Sequence, residues 1–289
     1  MTVAALYEQL KQSLEQVYPT AEAAAIAMRT IEHYAGIPFN QLPQHKDELV
    51  HEGVQQQAII ALHRLLQHEP LQYVLEEAWF YELPFYVNEQ VLIPRPETEE
   101  LVFEAIQWLK AKQAASDNIE VLDIGTGSGC IPVTIKYHLQ NLSVSTMDVS
   151  ASALEVAQRN AASHNTSINF IQQDFLDDSL WQDMHAYDLI ISNPPYIPAN
   201  EKAMMDKHVT DWEPGLALFV PDNDALLFYR KIGLFAKEHL RQDGRIFLEC
   251  HYVYAQQTKT LLEEMRFDVT LKKDMHGNDR IIIASHHIN

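Results

Sequence analysis

The stretch "IEVLDIGTGSGC", residues 119–130, decides the fold. Ile119 to Ile124 is a short run of mostly apolar residues, the length of a buried strand, and glycine ends it. Three of the chain's nine glycines, Gly125, Gly127 and Gly129, then fall within five residues, and a helical run follows. A strand, a glycine turn and a helix in that order make a backbone that turns tightly and lets a ligand approach closely. The spacing is G-x-G-x-G and not the G-x-G-x-x-G of a dinucleotide site.

Outward from this unit, everything after Pro96 alternates strand with helix. The strands read "IEVLDIG", "SVSTMDV", "INFIQQD", "YDLIISN", "GRIFLEC", "FDVTLKK" and "DRIIIAS", and "ASALEVAQRNAASH" and "DALLFYRKIGLFAKEHLRQ" are helical. Such alternation predicts a doubly wound α/β sheet with its ligand at the carboxyl ends of the strands. Only the turn-rich "DMHGN" separates the last two strands, too little for a helical crossover, so they are expected to pair antiparallel. Before Pro70 the texture differs. "ALYEQLKQSLEQVY", "AEAAAIAMRTIEHYAGI" and "LVHEGVQQQAIIALHRLL" repeat their apolar residues at helical spacing, with Thr20 as expected N-cap and Gly36 as expected stop. The domain expectation is a helical bundle over 1–72, a β-hairpin connector over 73–95 and the α/β domain over 96–289.

Composition narrows the function. Hydrophobic residues make up 47% and charged ones 21%, as in a soluble globular protein. No apolar run is long enough to span a membrane, and "MTVAALYEQLKQ" lacks a signal-peptide core, so the expected location is cytoplasmic. Cys130 and Cys250 form no CxxC or Cys/His cluster and read as small buried thiols; no metal site is expected. A net charge of -19 opposes non-specific binding to a phosphate backbone.

The acidic residues at the strand ends define the ligand. Asp123 would repel a pyrophosphate but suits a ligand carrying positive charge, as S-adenosylmethionine does on its sulfonium and ammonium. Asp148 ends the second strand about 20 residues after the loop, where an acidic side chain accepts from ribose hydroxyls. Asp174 ends the third and suits the exocyclic amine of adenine. Each alone reads as a solvated carboxylate; together with the loop they mark a nucleoside site.

"ISNPPYIP", residues 191–198, follows the fourth strand, which in a doubly wound sheet lies beside the first. The side-chain carbonyl of Asn193 and the backbone carbonyl of Pro194 make two acceptors, and Pro195 stiffens the turn without offering a competing N–H. Two rigid acceptors suit an NH₂ group, and Tyr196 adds a flat face for a planar amide or base. Accepting both N–H bonds raises electron density on a poorly nucleophilic nitrogen and aligns it with an electrophilic methyl. A proline-rich strand cap is the structural alternative.

With these residues in place, the chain resembles the glutamine N5-methyltransferases of peptide-chain release factors, the HemK/PrmC family. The likeness runs through "VLIPRPETEELV" (91–102), "VLDIGTGSGCI" (121–131), "ISNPPYIP", "EPGLALFVPDNDALLFYR" (213–230) and "DMHGNDRIIIA" (274–284). The resemblance implies a seven-stranded class I S-adenosylmethionine-dependent methyltransferase sheet with an antiparallel terminal hairpin, plus a small all-helical N-terminal domain that helps hold the release factor. The implied reaction is N5-methylation of the glutamine in the Gly-Gly-Gln motif of class I release factors during translation termination, with S-adenosylhomocysteine as product. It implies catalytic roles for Asn193, Pro194, Pro195 and Tyr196. Cofactor contacts are implied for Asp123, Gly125, Thr126, Gly127, Gly129, Asp148, Val149, Asp174, Phe175 and Asn193. Arg95, Thr98 and Glu99 are implied beside the substrate, although Pro96 with Glu97 and Glu99 also reads as a plain helix start. Pro96 directly after Arg95 favours the release-factor branch over the ribosomal-protein branch, which usually reads Pro-Arg-Ser-Pro. Departures are Glu76 and Glu82, where the family often carries glycine, and "LECHY" after the fifth strand. His164, His251 and His276 read as surface or turn residues.

Two rivals stand. A methyltransferase of exocyclic amines in DNA or RNA would share the acceptor pair, but would carry a basic face and a target-recognition region, and neither is visible. A non-catalytic binding factor would not need Asn193 and Tyr196. No direct nucleic-acid or membrane contact is expected, and the default assembly is a monomer.

Overall fold

The computed structural model describes residues 1–114 and 118–287; residues 115–117 and 288–289 of the 96–289 expectation lie outside the described residues. The chain divides into two units, Met1–Glu77 with Asp206–Trp212, and Ala78–Met205 with Glu213–Asn289.

The first unit holds helices α1 (Val3–Leu14), α2 (Thr20–Ala35), α3 (Leu42–His45), α4 (Glu52–Leu65), α5 (Leu71–Val74) and α9 (Lys207–Thr210). Their apolar stripes close one core around Leu6, Leu10, Leu14, Ile31 and Leu65. Gly36 ends α2 in the left-handed conformation at φ 67°, as its sequence position predicts. Thr20 is not the cap: Pro19 holds the cap position in extended geometry and Thr20 is the first helical residue. The proline side chain has no oxygen to accept from the N–H groups of the first turn, so the helix starts without a side-chain cap. Residues 206–212 join this unit through His208, whose ring stacks on Tyr18 at 5.5 Å and whose Nδ1 lies 2.8 Å from the His68 carbonyl.

The second unit opens with the hairpin of β1 (Ala78–Phe80) and β2 (Leu83–Phe85). Helix α6 (Pro96–Gln113) follows with Pro96 in its first turn, as expected. Then come β3 (Glu120–Ile124), α7 (Cys130–His138), β4 (Ser143–Asp148), α8 (Ala151–Ser163), β5 (Asn169–Gln172), β6 (Tyr187–Ser192), the short β7 (Ile197–Pro198), α10 (Gly215–Leu218) and β8 (Phe219–Val220). The chain closes with α11 (Leu227–His239), β9 (Leu240–Glu249), α12 (Ala255–Glu264), β10 (Phe267–Lys273) and β11 (Asp279–His286). Among the described residues the main sheet has seven strands in the order β10-β11-β9-β6-β3-β4-β5, and β11 runs antiparallel to both its neighbours.

Alternate residues of the central strands feed cores on opposite faces. Val121, Leu189 and Ile191 pack with α6 and α7, while Leu122, Ile124 and Ile190 pack with α11 and α12. The central strands are therefore buried on both faces, and their carboxyl edge is where the chain leaves the sheet. The register places Asp123 opposite Ile191, so Gly125 and Asn193, two residues further along each strand, emerge side by side.

Candidate active site

A cleft of about 470 Å³ opens at that edge within the second unit. Its wall includes Arg95, Thr98, Gly125, Thr126, Gly127, Asp148, Val149, Asp174, Phe175, Asn193, Pro194 and Pro195. Four further candidates, Asp123, Glu99, Gly129 and Tyr196, are not on the wall.

Gly125, Gly127 and Gly129 take φ of 77°, 52° and 80°, the left-handed region that side chains disfavour. A Cβ on Gly129 would stand 3.0 Å from the Cβ and 3.1 Å from the Cα of Ala157, so this glycine lets α8 close on the loop. Asn160 secures the same contact: its amide donates to the carbonyls of Ser128 (2.8 Å) and Tyr86 (2.9 Å) and accepts from the Tyr86 N–H (2.8 Å). An amide buried in a helix was the available signal for it, one the motif spacing does not carry.

Asp148 sits at the end of β4, where its Oδ2 accepts from the Gly127 N–H at 3.0 Å and its Oδ1 from Ser150 at 2.9 Å. Burial raises its pKa against these bonds. Asp174 lies two residues past β5, exposed, with Oδ1 accepting from Leu176 N–H. Phe175 is buried and stacks on Trp181 at 5.3 Å. Asp123 is fully buried behind the loop; Oδ2 accepts from the Thr146 hydroxyl at 2.7 Å. Desolvation pushes its pKa up to about 7. Its Oδ1 and the Thr126 hydroxyl are buried with no partner beyond one another. Such buried acidic and hydroxyl oxygens beside a glycine loop, with carboxylates at the next two strand ends, suit a cationic nucleoside ligand.

On the other side of the cleft, Asn193 Nδ2 donates to Thr98 Oγ1 at 3.1 Å, and the Thr98 hydroxyl donates to Glu249 Oε2 at 2.6 Å. Tyr196 donates to Glu249 Oε1 at 3.3 Å. Tyr196 is thus held by its hydroxyl, with its ring 5.8 Å from that of His251, which stands nearer the site than its turn position suggests. Burial raises the Glu249 pKa, opposed by the Thr98 bond and the Arg280 charge. Arg280 is itself bonded to Asp274, which links the terminal "DMHGNDR" turn to this corner. Sequence reasoning overlooked Glu249 and Glu213. Glu213, 5% exposed, accepts from the Ile93 N–H at 3.1 Å and pairs with Arg95, fixing the "IPRP" segment over the cleft. Glu249 ends the apolar run "IFLE", which was a signal for it, whereas Glu213 lies in the turn-like "TDWEPG", which carries none. Glu99 accepts from the Tyr81 N–H at 3.0 Å and so braces the hairpin turn.

A glycine loop between β3 and α7, carboxylates at the ends of the neighbouring strands and a sheet closed by an antiparallel hairpin define a class I methyltransferase. Residues 105–210 match the methyltransferase small domain and residues 5–75 the PrmC N-terminal domain. The release factor glutamine methyltransferase of Flavobacterium psychrophilum is 46% identical over 76% of this chain and 76% of its own. That of Bacteroides thetaiotaomicron is 37% identical over 96% and 97%. Among solved structures, the hMettl16 catalytic domain in complex with the MAT2A 3'UTR hairpin 6 shares the fold at a TM-score of 0.54, with 15% identity over 82% of this chain and 83% of that one. The chain belongs to the release factor glutamine methyltransferase family. No helix among the described residues is long and apolar enough to cross a membrane.

Proposed function

We propose that this protein methylates N5 of the glutamine side chain in the Gly-Gly-Gln motif of class I release factors, in translation termination, with S-adenosylmethionine as donor. One observation carries the reading: adjacent strands deliver the Gly125–Gly127 loop and the Asn193–Pro194 acceptors to one cleft, side by side. The Bacteroides thetaiotaomicron release factor glutamine methyltransferase, which aligns over 96% of this chain, supports the substrate assignment.

In this reading the loop, Asp148 and Asp174 hold the nucleoside, and Asp123, buried behind the loop beside Thr126, acts on its cationic end through its charge and not by contact. When bound, the cofactor would supply a sulfonium-activated methyl, its S–CH₃ bond breaking as the N–CH₃ bond forms, to leave S-adenosylhomocysteine, and the amide nitrogen would release one of its two protons to solvent. Asn193 Oδ1 and the Pro194 carbonyl accept the two N–H bonds of the substrate amide, which orients the nitrogen and stabilises the positive charge it develops. Pro195 holds the two acceptors at a fixed spacing.

Mass spectrometry of a release factor incubated with the protein and S-adenosylmethionine, with duplex DNA as a parallel acceptor, tests the proposal. One methyl on the Gly-Gly-Gln peptide is the expected result; label in DNA alone overturns it. Asn193→Ala is expected to keep cofactor binding and lose roughly 10² to 10³ in rate, as loss of one preorganised polar contact does elsewhere. A rate equal to wild type removes Asn193 from the mechanism.

A further inference from the structure

We infer that Glu249 and Thr98 are positioning residues that set the polarity of the Asn193 amide, so that its carbonyl and not its NH₂ faces the cleft. The inference rests on the amide-methylation reading and adds to it the cause of the acceptor geometry.

An asparagine amide can present either end, and only the carbonyl end can accept from a substrate NH₂. The choice is made by counting protons. A Glu249 carboxylate is an acceptor at both oxygens. The Thr98 and Tyr196 hydroxyls point at Oε2 and Oε1, so both oxygens are engaged as acceptors, and these bonds with the nearby Arg280 charge oppose the rise in pKa that burial imposes on Glu249. Thr98 has one hydroxyl proton, and the 2.6 Å bond to Glu249 consumes it. Toward Asn193 the Thr98 oxygen then has only lone pairs to offer, so the Asn193 atom 3.1 Å away must be the donor Nδ2. The amide is planar, which turns Oδ1 the other way, to the cleft that Asn193 lines. Glu249 is 1% exposed and Thr98 2%, so water does not compete for these bonds. The relay spans three elements: the end of β9, the first turn of α6 and the end of β6.

The test is Thr98→Val, which keeps the shape and deletes the acceptor, beside Thr98→Ser, which restores it. Thr98→Val is expected to lower kcat about 10- to 100-fold, less than loss of a direct contact because Asn193 itself remains, and Thr98→Ser to recover most of it. S-adenosylhomocysteine affinity is expected to hold in both, which reports an intact cleft. Glu249→Ala frees the Thr98 proton to donate to Asn193 Oδ1, and adding Thr98→Val to it is expected to cost nothing further, because both act through one relay. A second readout needs no turnover: the Asn193 side-chain amide protons, observed by ¹⁵N–¹H NMR, should include one hydrogen-bonded proton in wild type and in Thr98→Ser, lost in Thr98→Val. An unchanged kcat in Thr98→Val, no recovery in Thr98→Ser, or an Asn193 amide spectrum indifferent to Thr98 overturns the inference. If wild type methylates no glutamine while the NMR pattern holds, the function reading fails and the relay stands.

Discussion

Asp123 is a carboxylate whose environment moves it far from its ordinary chemistry. Its carboxyl has an ordinary pKa of 3.8 and is pushed up to about 7 by burial. Between those values the folded chain binds a proton that the unfolded chain does not. Stability is therefore held in full below 3.8 and lost as pH rises through about 7. Thermal unfolding followed from pH 5 to pH 8 is expected to show a falling midpoint in the wild type and a shallower fall in Asp123→Asn. The slope should persist in part, because burial also raises Asp148 and Glu249. An identical slope in the variant would mean that Asp123 is already ionised at pH 5. Asp123 and Asp148 were legible in sequence as carboxylates closing apolar strands, whereas Glu249, which closes β9 in the same way, was overlooked. The partners were not legible: nothing local says that Asp123 bonds to Thr146 while Asp148 bonds to the loop.

At the scale of the element, the hairpin of β1 and β2 shows what the absent glycines would do. Its two turn residues, Tyr81 and Glu82, have φ of 52° and 64°, and Phe80 pairs with Leu83 across them. Two residues with positive φ make the turn that twists with the strands, normally supplied by Asn-Gly. Glu76 is also left-handed, at φ 54°. The departures noted in the sequence at 76 and 82 thus fall on strained backbone. Tyr81 is held in place by its N–H bond to Glu99, which offsets part of that strain. Glu82→Gly is expected to raise stability by about 0.5–1 kcal/mol, read as a higher denaturation midpoint at unchanged slope. A neutral or lower midpoint would mean that the entropy lost by glycine outweighs the relieved strain.

At the scale of the whole molecule, charge is the property that acts at a distance. A net charge of -19 over 289 residues sets up a field that attracts a basic partner and repels phosphate backbones. If the substrate is a release factor presenting a basic face, association should slow by roughly tenfold or more from low to high salt, since steering fades within a Debye length of about 10 Å at 0.1 M. Stopped-flow association rates across a salt series measure this, and a flat series would assign recognition to shape and apolar contact. The helical unit carries a different lesson. Its amphipathic helices were visible as periodicity, yet it also takes in residues 206–212, distant in sequence and joined by His208 packing on Tyr18.

What the sequence by itself determined is what repeats along the chain or must be satisfied locally. The alternation of strands and helices, the antiparallel closing hairpin, the glycine loop and its place beside "NPPY" all follow from period, turn chemistry and the winding rule of parallel sheets. The tertiary structure alone decided which polar groups meet. Thr98 and Glu249 are 151 residues apart, Asn193 and Thr98 are 95 apart, and Ile93 and Glu213 are 120 apart. A hydrogen bond depends on a few tenths of an ångström and on angle, and no periodicity in sequence encodes that. It is set only once the sheet, packed on both faces, fixes where α6, β6 and β9 end relative to one another.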